Sequence, residues 1–120
     1  MIPATWVAHV RDDDGELLGY LDTGDEGMLA RTVFGFLLGV AGDEAAARST
    51  LDSIGLSYLA ERWMLALPSR EERITVEIVE ATPDRLVVKS VDYGYEGDYG
   101  TQFTLAVPVG DTELRPERSL

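Results

Sequence analysis

The sequence predicts an α+β fold: a mostly antiparallel sheet of six or seven strands, ordered βββα and then a β meander, curling toward a barrel around or under one main helix. Three observations predict it. Apolar and polar residues alternate with period two near the N-terminus and through most of the C-terminal half. Residues 43–55 line up a helix start, an alanine run and a stop. No domain-scale repeat and no linker interrupts the 120 residues, a length suited to one core, so residues 1–120 read as a single domain.

The first unit reads as a hairpin. Residues 6–11 lead through Asp12-Asp13-Asp14-Gly15 into residues 16–21. A four-residue loop sets Arg11 opposite Glu16, Val10 opposite Leu17 and Trp6 opposite Leu21, pairing opposite charges and like apolar groups. Trp6, Ala8, Val10, Leu17 and Leu21 then share a core face. Residues 23–27 form a turn by composition, and a third strand is expected in 29–36, where Thr32, Val33 and Phe34 suit a pleated surface.

Asp43 is a good N-cap, and Glu44 complements the positive end of the helix dipole. Ala47, Leu51 and Ile54 share one helical face. Gly55 ends the helix as a left-handed residue, with Leu56 packing back. Residues 57–67 fit either a helical stripe stopped by Pro68 or the start of a hairpin; a helical turn over 57–61 followed by a strand is favoured.

The second half is β. Strands at 74–79 and 86–91 flank Thr82-Pro83-Asp84, where Pro fixes φ and Asp tolerates a tight turn. A three-residue loop sets Glu77 opposite Lys89 and Ile78 opposite Val88. Phe103, Leu105, Val107 and Val109 alternate with Gln102, Thr104, Ala106 and Pro108, as in a strand buried on one face. Pro108 marks a sheet edge or strand end. The polar tail, 111–120, is expected to fray.

Composition narrows the function classes. The 22 Asp and Glu against 10 Lys and Arg give a net charge of −12, which repels nucleic acid and anionic membrane and could steer a basic partner. The absence of cysteine excludes disulfides, thiolate metal sites and thiol nucleophiles. Residues 1–6 lack a basic n-region and a long apolar h-region, and the longest apolar stretch, 33–41, is too short to span a bilayer. The expected location is therefore the cytoplasm.

Tested motifs fail in informative ways. Aligning Gly15 with the sixth position of an EF-hand loop leaves Val10 and Leu21 where its strongest ligands belong. Gly35, Gly39 and Gly42 precede a helix as phosphate-binding loops do, but Asp43 and Glu44 occupy the anion's place. His9, the one histidine, is expected half-exposed opposite Leu18, with no partner completing a relay. No catalytic residue, metal site or cofactor is assigned.

One segment looks composed for binding. Asp92-Tyr93-Gly94-Tyr95-Glu96-Gly97-Asp98-Tyr99-Gly100 repeats an Asp-Tyr-Gly triplet and packs three tyrosines and three carboxylates among three glycines. Tyrosine gives large contact area at low entropic cost, and loops on a rigid sheet carry function. Asp92, Tyr93, Tyr95, Glu96, Asp98 and Tyr99 are therefore the candidate binding residues. The alternative structural role is a long connection whose tyrosines cover the core edge. The functional expectation is a non-enzymatic binding or accessory module, inhibitor- or immunity-like toward a basic protein. The competing class is a small enzyme or ligand-binding domain with a pocket near 92–100.

Overall fold

In the computed structural model, which describes residues 1–25, 27–68, 71–93, 99–110 and 112–118, two antiparallel sheets divide the chain. The first takes β1 (Val7–Val10), β2 (Leu17–Gly24), β3 (Gly27–Arg31) and β4 (Leu37–Ala41) in sequential order. Helix α1 (Glu44–Ile54) and a short 3₁₀ helix (Ser57–Ala60) follow. The second sheet takes β5 (Arg62–Leu65), β6 (Ile74–Ala81), β7 (Arg85–Ser90), β8 (Gln102–Ala106) and β9 (Leu114–Pro116), in spatial order β8-β7-β6-β5-β9. Among the described residues, nine strands in two open sheets thus replace six or seven in one sheet, and neither sheet closes into a barrel.

The helix follows its local signals. The Asp43 carboxylate accepts the Ala46 amide at 2.8 Å, Ala47 and Leu51 are buried, and Gly55 ends the helix at φ 58° while donating to the Leu51 carbonyl. Residues 57–60 make the expected helical turn before β5. Beyond the turn at 82–84, Glu77 pairs with Lys89 and Ile78 with Val88, as charge and apolar matching require. A bulge at Val79 then shifts the pairing by one residue, so the loop closes one residue shorter than expected, over Pro83 and Asp84, with the Thr82 amide donating to the Arg85 carbonyl at 3.0 Å.

Three expectations need correction. The third strand ends at Arg31, because the Thr32 hydroxyl and amide close a tight turn onto Phe36 and the chain re-enters the sheet as β4. Gly35 sits in that turn at φ 90°, with Pro108 where a Cβ would stand. Residues 114–116 of the supposedly frayed tail form β9 against β5, with Leu114 fully buried.

In the first hairpin Val10 does face Leu17, but the pairing then slips, so Val7 rather than Trp6 faces Leu21. The extra residue is Leu18, and one extra residue reverses which side chains face inward. Ala8 and Val10 are consequently exposed, whereas His9, opposite Gly19, is only 8% exposed. Gly19 permits the slip: a Cβ there would collide with the Arg31 carbonyl and press on Leu51.

Two apolar clusters result. Leu18, Leu21, Ala30, Ala47 and Leu51 join α1 to the first sheet. The larger cluster fills the inner face of the second sheet around Phe34, Tyr58 and Trp63, whose rings meet edge-on with Phe34 5.7 Å from Tyr58 and 5.4 Å from Trp63. Leu105, Val107 and Val109 point into it, while Gln102, Thr104 and Ala106 are exposed on the edge strand β8.

Candidate functional site

The β7–β8 connection leaves the second sheet at a fixed point. The Val91 amide donates to the Thr75 carbonyl at 3.0 Å, and the Thr75 amide donates to the Asp92 carboxylate at 3.1 Å. On the return side, the Gly100 amide donates to the Ser90 carbonyl and the Ser90 amide to the Thr101 carbonyl, both at 2.8 Å. Asp92 therefore anchors the segment to β6.

Tyr93 and Tyr99 stand on the two shoulders of this connection and stack on each other, with ring centroids 4.8 Å apart and planes 15° apart. They do not cover the core edge: Tyr93 is 88% exposed and Tyr99 56% exposed. What shielding Tyr99 has raises its phenol above the ordinary range, reinforced by Tyr93 and the negative charge of Glu77, while Arg62 acts oppositely. The pair thus stands near a charged row on the sheet's solvent face, where Arg62 pairs with Glu77, Glu77 with Lys89, and Lys89 with Gln102. Of the candidate binding residues, Asp92, Tyr93 and Tyr99 come together here; Tyr95, Glu96 and Asp98 lie outside the described residues.

A second polar cluster escaped the sequence reading. His9 Nε2 lies 2.7 Å from the Asp52 carboxylate, and Nδ1 lies 2.9 Å from an Arg48 guanidinium nitrogen. A guanidinium only donates, so Nδ1 accepts and the ring proton sits on Nε2, donated to Asp52. Arg48 also reaches Glu44 at 3.4 Å. Both ring nitrogens are thereby engaged, which makes His9 a clasp between β1 and α1, with neither nitrogen left to take a substrate proton. The readable signal was the i,i+4 spacing of Arg48 and Asp52, which puts both on one helix face.

Beside the clasp, Arg11, Asp12, Asp13 and Asp52 line a depression of about 290 Å³. Its neighbour Asp14 is committed to structure, accepting from the Glu16 amide and the Arg11 guanidinium, which together hold its carboxyl below the ordinary range. A second depression of about 210 Å³ is lined by Arg31, Leu37, Val109 and Gly110. Among the described residues, no three His, Asp or Glu side chains are grouped to hold a metal ion, and no helix is long and apolar enough to cross a membrane. The pocket expected near 92–100 would be built largely from 94–98, outside the described residues. Comparison with known proteins finds no matching family model, no matching curated protein and no matching solved structure.

Proposed function

We propose that this chain is a non-enzymatic, cytoplasmic protein-binding module that engages a basic protein, with Tyr93 and Tyr99 as its anchor. An inhibitor- or immunity-type role toward that partner is the sharpest form of this reading.

The observation that carries it is the stacked, solvent-facing pair. A monomer gains little by keeping two large rings in water, whereas rigid tyrosines are favoured anchors in protein interfaces. The partner's charge follows from the setting. The chain carries −12, and Asp92, Glu96 and Asp98 share the segment with the rings. A partner's arginine can stack on a tyrosine face, and the acidic composition of the segment favours a cationic partner. The net field also accelerates encounter with a cationic protein.

The test compares proteins captured from lysate by the wild type and by the Tyr93→Ala, Tyr99→Ala double variant, at low and high salt. A basic protein held by the wild type, released by salt and not retained by the variant supports the reading. Equal capture by both chains overturns the role of the pair.

A further inference from the structure

We propose that Tyr93 and Tyr99 form an oxidative cross-linking site, where a one-electron oxidant of the activated-peroxide class joins the two phenol rings into a dityrosine that staples the ends of the β7–β8 connection. This goes beyond the binding reading and does not depend on it.

The geometry favours the reaction. The rings are stacked at 4.8 Å and within 15° of parallel, so radicals formed on both face each other before any diffusion. Both rings are open to a solvent-borne oxidant. The other tyrosines with described surroundings are protected: Tyr58 is fully buried with its hydroxyl donated to the Leu18 carbonyl, and Tyr20 is buried beside Trp6. The chain has no cysteine, so no thiol of its own competes for the oxidant. Coupling between molecules requires two chains of charge −12 to meet, which their repulsion opposes.

The step balances. Each phenol loses one electron and its hydroxyl proton, giving two phenoxyl radicals with spin density on the ring carbons beside the oxygen. Those carbons form one carbon–carbon bond, and the proton that each of them carried moves through water to its own oxygen, restoring two phenols. Two electrons and two protons leave in total, and they reduce one peroxide to two waters.

The experiment treats dilute protein with a haem peroxidase and hydrogen peroxide. The expected product is a monomer lighter by two hydrogen atoms, with dityrosine fluorescence whose yield does not change on dilution. Cleavage after Glu96 should leave two fragments joined through Tyr93 and Tyr99. Tyr93→Phe keeps a ring in the stack but should lose the product, whereas Tyr95→Phe should retain it. Unchanged yield in Tyr93→Phe, a link mapped to Tyr95, no dityrosine at all, or mainly intermolecular cross-links rising with concentration would each overturn the proposal.

Discussion

The Tyr58 hydroxyl donates to the Leu18 carbonyl at 3.1 Å, tying the ring that fills the second sheet's core to a backbone group of the first sheet. The same oxygen accepts the Val33 amide, also at 3.1 Å. One fully buried side chain therefore satisfies two backbone groups, one on β2 and one in the turn that follows β3.

Tyr58→Phe should keep the ring packing while orphaning Leu18 O and Val33 N, costing about 1–3 kcal/mol at neutral pH. The wild type should also show an alkaline loss that the variant lacks. Burial pushes the phenol from 10.0 up to about 12, with the Val33 hydrogen bond acting the other way. Below pH 10 the phenol is neutral in folded and unfolded chains alike, and this contribution is fully present. As pH rises from 10.0 toward about 12, only the unfolded chain ionises, so stability falls by roughly 2–3 kcal/mol in total. Urea melts of both chains across that window would reveal the difference; parallel curves would refute it.

Asp43→Ala removes the acceptor for the Ala46 amide and should cost about 0.5–2 kcal/mol. Asp43→Ser should recover most of that loss in thermal melts, and no recovery would mean that the cap acts through something other than its hydrogen bond.

The helix and the Glu77–Lys89 register were legible because their determinants are local: a cap, a stop, and a turn whose two arms match in charge. The first hairpin misled because its slip depends on a close approach from outside the hairpin, which Gly19 permits: a Cβ there would meet the Arg31 carbonyl and Leu51. A single extra residue, Leu18, then turned His9 inward and Val10 outward. Strand β9 escaped for a related reason, since three residues carry little pattern and their partner β5 lies far back in the sequence. The exposure of Tyr93 and Tyr99 was likewise not written in their spacing. It depends on the Val91–Thr75 and Gly100–Ser90 hydrogen bonds that set where the connection leaves the sheet.

Replacing His9 with Ala should cost about 1–2 kcal/mol, because the β1–α1 clasp loses both of its hydrogen bonds. A double-mutant cycle with Asp52→Ala should give a coupling of about 0.5–1.5 kcal/mol. Strict additivity would mean that the 2.7 Å contact contributes nothing to stability.

Tyr93→Ala and Tyr99→Ala should each shift stability by no more than about 0.5 kcal/mol, the usual scale for exposed positions. Losses of about 3–5 kcal/mol, the scale of a buried aromatic, would place these rings in the core instead.

Gly19→Ala should destabilise by about 1–3 kcal/mol, because the added methyl meets backbone rather than a side chain that can rotate away. Gly39→Ala, where a Cβ meets open space, is the matched control and should lie within about 0.5 kcal/mol of the wild type.

The pairing of β5 with β9 also governs the order of events during synthesis. Trp63, Met64 and Leu65 present one edge to β6, and their other edge finds Pro116, Arg115 and Leu114 only after the chain has been made as far as Pro116. Until then a nascent chain carries an apolar strand with an unmatched row of amides and carbonyls, the kind of edge that recruits other chains. A chain stalled short of Leu114 would leave that edge of β5 open, so β9 is the strand that covers it.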